Sequence, residues 1–216
     1  RRALPTIRFA LEHGARLILM SHLGRPKGEF QSELSMKKVA DRLGELLGRP
    51  VQFASDCIGE EPRQMAEELQ DGQVMVLENL RFHAGEKAND PEFVEQLASL
   101  ADFYVNDAFG TAHRAHASTA GVPEHLPACA GFLIEREIEN LSKATENPAH
   151  PYVAIMGGAK VSDKIEAIRN ILTKADKLLV GGAMAYTFLK QQGFGVGDSM
   201  VEDDKLELAG ELLEEY

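Results

Sequence analysis

Short apolar runs and stretches of helical periodicity take turns along the whole sequence. Strand-like runs at 17–20, 51–54, 73–77 and 103–105 alternate with amphipathic stretches at 6–13, 36–47, 62–69 and 91–100. Strands separated by helices cannot close as hairpins, so this pattern predicts a parallel sheet covered by helices. After Phe132 the pattern changes to a long charged helix, 133–141, which runs into "ENPAHP" at 146–151. Two prolines so close together end a helix and mark a linker. A second alternation then begins, with a strand at 152–156, a helix at 164–174, a strand at 177–180, a helix at 183–191 and an amphipathic helix at 206–216. The predicted class is α/β, with two doubly wound, Rossmann-like parallel-sheet domains divided near residue 147. Residues 1–147 form the first domain and its following helix, and 148–216 the start of the second.

Charge narrows the partners. The 216 residues carry a formal charge of -11 at pH 7, which disfavours a nucleic-acid partner, because a polyanion calls for a basic face. Any anion site must therefore be a local basic cluster. No apolar run approaches the length of a membrane span, so no membrane association is expected. Cys57 and Cys129 fit no CxxC or Cys/His ligand spacing and predict buried thiols in a reducing, cytoplasmic setting rather than a disulfide or a metal site. The opening "RRALP" reads as the start of an element already under way, and the last helix stops without a cap, so the chain looks like a piece of something longer.

Ligands of open parallel sheets bind outside the carboxyl ends of the strands, so the residues just after each apolar run share one rim. The first run exits into Ser21-His22-Leu23-Gly24-Arg25, the run at 73–77 into "ENLRF" with Arg81, and the run at 103–105 into "NDAFGTAHRAH" with His113, Arg114 and His116. One such arginine reads as surface charge. Three on one rim point to an anion site, since guanidinium forks match the paired oxygens of carboxylate and phosphate. His113 and His116 stand at metal-ligand spacing, but Arg114 between them would repel a cation. In "MGGAKVSDKIEAI" (156–168) a strand ends in glycines and a helix begins, with Asp163 as N-cap, Glu166 three residues on as its capping box, and Lys160 and Lys164 beside the first turn. Free N–H groups, a helix N-terminus and two ammonium groups make a phosphate cradle; a plain turn with solvated lysines is the competing reading. "VGGAMAYTF" (180–188) repeats the pattern, whereas the glycines at 193, 195 and 197 follow a helix and read as its stop.

The segments "SHLGRP", "LENLRFHAGE", "DAFGTAHRAHAST", "GGAKVSDKI" and "GGAMAYTF", in this order and spacing, resemble the phosphoglycerate kinase family over essentially the whole chain. The resemblance implies a glycolytic enzyme in which a basic N-terminal domain holds 3-phosphoglycerate, a C-terminal domain holds Mg²⁺ with ATP or ADP, and a hinge helix joins them. It implies that His22, Leu23, Gly24, Arg25, Arg81 and Arg114 bind the triose. It places Lys160 at the transferring phosphoryl group and Lys164 on nucleotide phosphates, with Gly157, Gly158, Ala159 and Ala183 close to the nucleotide. Lys160, Arg25 and Arg114 would act in catalysis, no side chain of the chain would ligate the metal, 1,3-bisphosphoglycerate would be the other triose, and the protein would act as a monomer. The family's opening strand, with its Asp-x-Asn contact, has no counterpart here, and the second domain is truncated. Its acidic ribose contact and Gly-Gly-Asp-Thr segment are absent too, so the chain alone is expected to be inactive. Ala183 stands where many members have glycine. A non-catalytic module for a phosphorylated small acid is the alternative.

Overall fold

The apolar runs become strands and the periodic stretches helices, in a computed structural model that describes residues 1–215. The chain divides into two compact units, Arg1–Ile138 and the part from Glu139 onward. In chain order the first unit holds α1 (Leu4–Glu12), β1 (Leu17–Leu19), α2 (Lys37–Leu47), β2 (Gln52–Phe53), α3 (Glu60–Glu68), β3 (Val74–Val76), α4 (Ala84–Ala88), α5 (Pro91–Ala98), β4 (Tyr104–Asn106), α6 (Val122–His125) and β5 (Ala128–Ala130). The division falls inside α7 (Phe132–Thr145), and β6 (Val153–Gly157), α8 (Ile165–Leu172), β7 (Lys177–Gly181), α9 (Met184–Gln191) and α10 (Leu206–Glu215) follow. The helix predicted at 206–216 is present to Glu215; Tyr216 lies outside the described residues.

Every strand pairing is parallel, as the alternation requires. β3 is central in the order β1-β3-β2, with Leu17 opposite Val74 and Gln52 opposite Met75, and all three of its residues are buried. That is why 73–77 reads as an unbroken apolar run. β4 and β5 pair separately, Tyr104 opposite Ala128, yet Tyr104 packs into the same core as Met75, Leu77, Leu80 and Phe93. β5 escaped the sequence reading because Ala128-Cys129-Ala130 is small and exposed on both faces, leaving no alternation to detect. For the same reason Cys129 is exposed, against the expectation of a buried thiol, whereas Cys57 is buried; both are free.

Local chemistry sets the helix ends. Asp90 caps α5 by accepting the Phe93 N–H at 3.0 Å, and Pro91 fills the first helical position, where no N–H is needed. Gly48 ends α2 in the left-handed region at φ 66°. α9 ends at the predicted stop, with Gly193 at φ 86°.

In the second unit β6 and β7 run in register from Val153–Lys177 to Gly157–Gly181. One face is covered: Met156, Leu178 and Val180 pack on the buried Val161, Ile168, Met184 and Leu212 of the helix layer. The opposite face leaves Ile155 80% exposed. This asymmetry predicts that Ile168→Ala lowers the unfolding free energy of the second unit by about 2–5 kcal/mol, while Ile155→Thr changes it by under about 0.5 kcal/mol. Denaturant titration of both variants checks the contrast.

Candidate functional site

In the first unit the three predicted exits converge through a buried polar scaffold. β3 leads into Glu78, Asn79 and the single turn Leu80–Phe82, which carries Arg81. The Glu78 carboxylate accepts the Ser35 hydroxyl at 2.6 Å and the backbone N–H groups of Met36 and Asn79 at 2.7 Å each. Asn79, wholly buried, donates its amide to Leu23 O (2.8 Å) and Leu34 O (3.0 Å), while its carbonyl accepts the Arg81 N–H at 3.1 Å. Both ends of the loop after β1 are thereby tied to the end of β3. Gly24 sits at φ 67°, a conformation that glycine adopts without strain, and its carbonyl accepts a bond from Arg81 Nη1 at 2.9 Å.

Arg81 is only 8% exposed and its Nε is buried with no hydrogen-bond partner. Burial lowers its pKa from the ordinary 12.5, with Arg114 and then Arg25 adding repulsion and Glu86 opposing it. His22 is likewise held below 6.5 by burial first, then by Arg81, Arg114 and His116. Arg25, Arg81, Arg114, His22 and His116 therefore form one electrostatic cluster. A buried donor without an acceptor, with Arg114 and Arg25 near enough to repel it, is an arrangement that an oxyanion could satisfy.

The segment from Arg114 to Gly121 is held by a residue that the sequence reading missed. Glu86, 1% exposed on α4, accepts the Ser118 hydroxyl at 2.7 Å and the Ser118 N–H at 3.0 Å, with His116 Nδ1 at 3.7 Å. Tyr104 donates to Ser118 O at 2.7 Å, and burial together with Glu86 pushes its phenol up to about 12. Thr119 adds a bond to Arg114 O at 2.7 Å. At the near end of this loop Asp107 accepts the N–H groups of Leu133 (2.8 Å) and Ile134 (3.3 Å), which caps α7. Buried polar residues directly after an all-apolar strand were the available signal for Glu78 and Asn79. For Glu86, a carboxylate one turn into a helix, there was none. Leu23 and Arg25 are exposed, and His113 lies at the surface beside Arg114, 3.4 Å from its Nε.

In the second unit β6 exits into Gly157-Gly158-Ala159-Lys160 and β7 into Gly181-Gly182-Ala183. The two glycine turns touch: Gly182 is at φ 71°, where a Cβ would stand 2.9 Å from Gly158 O, and that carbonyl accepts the Met184 N–H at 2.9 Å. Lys164 lies over Gly158, since a Cβ there would stand 2.7 Å from its Cε. Lys160 is exposed. Ala183 keeps φ -63°, so alanine costs this turn no backbone strain.

The helix start differs from expectation. α8 begins at Ile165 after the turn Ser162–Lys164, and neither Asp163 nor Glu166 forms the predicted capping box. Glu202, far along the chain, instead accepts the Val161 N–H at 2.5 Å, the Ser162 N–H at 3.2 Å and the Ser162 hydroxyl at 2.5 Å. These interactions hold its pKa below the ordinary 4.5 against the effect of burial. A carboxylate already occupies those N–H groups, so the glycine turn and the two lysines, rather than the helix end, are what remain for a phosphate.

The fold and the two clusters define a class: a two-unit α/β protein with parallel sheets, a cluster of arginines and histidines at strand exits of the first unit and paired glycine turns flanked by lysines in the second. The sequence profile of phosphoglycerate kinase matches residues 1–216. A "Phosphoglycerate kinase" of Moorella thermoacetica is 61% identical over 214 residues, and one of Dictyoglomus turgidum 57% over 213; each match covers 99% of this chain and 54% of the relative. Among solved structures, phosphoglycerate kinase from Coxiella burnetii superposes with TM-score 0.87 at 45% identity, over 99% of this chain and 54% of that one. The enzyme from Pyrococcus horikoshii gives 0.81 at 34%, over 100% and 56%. The chain belongs to the phosphoglycerate kinase family and spans about half the length of these relatives. Among the described residues no helix is long and apolar enough to cross a membrane.

Two measurements follow from this geometry. Glu86→Gln removes one acceptor of the Ser118 pair and the charge that raises the His116 pKa, so unfolding free energy falls by about 1–3 kcal/mol and His116 titrates lower still. Denaturant titration and NMR titration of His116 check both. Second, His22 and His116 sit below 6.5 in the folded chain, so near that value the unfolded chain binds more protons. Stability therefore falls as pH is lowered through about 6.5 toward the folded values and is unaffected by these groups above it. The urea midpoint should show this drop, and His22→Asn should flatten it.

Proposed function

We propose that the chain forms the triose-binding domain, residues 1–147, and the start of the nucleotide-binding domain, residues 148–216, of an enzyme that moves a phosphoryl group between ATP and the carboxylate of 3-phosphoglycerate. The products in that direction are 1,3-bisphosphoglycerate and ADP. The observation that carries this reading is the buried, unpartnered Arg81 Nε amid Arg25, Arg114, His22 and His116. An oxyanion accepts the free N–H and cancels the repulsion in one step. Family membership supports reading that oxyanion as a phosphorylated triose.

The chemistry asks for no base. A carboxylate is ionised at neutral pH, so it attacks phosphorus as it stands; what the reaction needs is in-line placement and cations for the charge on the transferring group. Arg25, Arg81 and Arg114 hold the triose, and His22 and His116 gain a reason to be protonated once the anion is bound. Lys160, exposed at the glycine turn, meets the transferring phosphoryl group, while Lys164 over Gly158 pairs with nucleotide phosphates. Lys164 over Gly158, Lys160 and the backbone of the glycine turn form a donor set for phosphate. The metal accordingly belongs with the nucleotide, where it supplies charge neutralisation.

Calorimetric titration of the chain with 3-phosphoglycerate and separately with Mg-ADP tests the reading. Triose binding should weaken as salt rises, and Arg114→Ala should weaken it by about 1.5–3 kcal/mol while leaving Mg-ADP binding unchanged. Equal loss on both ligands would overturn the division of roles. In a chain of the relatives' length, Lys160→Ala should lower turnover by about 10²-fold or more with little change in ADP affinity.

A further inference from the structure

Cys57 is a buried side chain that the proposed reaction does not use, and its spacing in the sequence gave no sign of a ligand set. The fold brings it beside two others. Asp56, Cys57 and His83 offer ligand atoms that all lie within 4.8 Å of one another, with the sulfur buried and the other two groups partly exposed. The Asp56 carboxylate accepts the Cys57 N–H at 2.6 Å, and the same oxygen lies 2.5 Å from His83 Nε2. The His83 ring is oriented by Phe93, centroid to centroid at 5.3 Å. The thiol itself donates to Glu78 O at 3.3 Å.

We propose that Asp56, Cys57 and His83 form a binding site for a thiophilic divalent cation of the zinc class. The sulfur is buried and the imidazole and carboxylate are partly exposed, so a water would serve as the fourth ligand. Zinc bonds of about 2.0–2.3 Å in a tetrahedron put the ligand atoms roughly 3.5 Å apart, so the cluster closes on an ion through small side-chain moves. On binding, the thiol proton leaves to solvent, the neutral His83 ring shifts its proton from Nε2 to Nδ1 through solvent, and the hydrogen bonds from sulfur to Glu78 O and between Asp56 and His83 break. Bonds from the metal to sulfur, nitrogen and oxygen replace them. A thiolate with an imidazole selects Zn²⁺ or Co²⁺ over Mg²⁺, which demands an octahedral set of oxygens, so this site is separate from the metal that accompanies a nucleotide.

The test is titration of the reduced chain with Co²⁺, read by absorption. One equivalent should produce a near-ultraviolet sulfur-to-cobalt charge-transfer band that Zn²⁺ abolishes and excess Mg²⁺ does not. Cys57→Ser should remove the band and Cys129→Ser should leave it. Should Cys57→Ser fail to fold, His83→Gln at a partly exposed position serves instead, and should weaken Co²⁺ binding at least tenfold. No band at all, a band that follows Cys129, or displacement by Mg²⁺ as readily as by Zn²⁺ would overturn the proposal.

Discussion

The first unit depends on two adjacent polar side chains buried at the end of its central strand. Glu78 and Asn79 leave the apolar interior of β3 and spend their hydrogen-bonding capacity on the loop that follows β1. An isolated carboxylate in that position would be expensive, but three donors on Glu78 offset the loss of water. The loop gains its shape from this exchange: its own sequence, with Gly24 and Pro26, fixes only a turn. The strand end and the polar loop thus behave as one rigid piece, and Arg81, rooted in the same turn, inherits its position from both.

Rigidity creates an electrostatic problem that an anionic ligand would solve. Arg81 is buried and tied to Gly24 O, its Nε has no partner within the protein, and the neighbouring basic groups lower one another's affinity for protons. Glu86 is the nearby counterweight, yet its oxygens are taken by Ser118 and its charge is only partly offered to His116. The unit is therefore strained electrostatically in a way that one bound oxyanion relieves. The second unit reaches the opposite balance, since Glu202 already serves the backbone donors at the start of the turn before α8, while Lys164 lies over Gly158 and Lys160 is exposed.

What could be read in the sequence follows from distance along the chain. The parallel alternation was legible because each strand and helix carries its own periodicity, and the rim was legible because strand exits in such a sheet share one edge. The five motifs then named the family. Asn79, by contrast, acts on Leu23 and Leu34, and Glu202 on Val161 and Ser162; the partners lie tens of residues away, where no local pattern points. The capping box at Asp163 and Glu166 was a sound local expectation overridden by that distant carboxylate. β5, with three small exposed residues, lacked any periodic signal, and Cys129 went with it.

In the proposed reaction the unpaired Arg81 Nε–H is the receptor for a ligand oxygen. The most direct measurement is the arginine Nε–H region of a ¹H–¹⁵N correlation spectrum of the chain, recorded while 3-phosphoglycerate is added. The Arg81 Nε–H resonance, assigned through Arg81→Lys, should move downfield saturably and exchange more slowly with solvent as the ligand binds. A resonance that stays in place while calorimetry shows the ligand bound would contradict it.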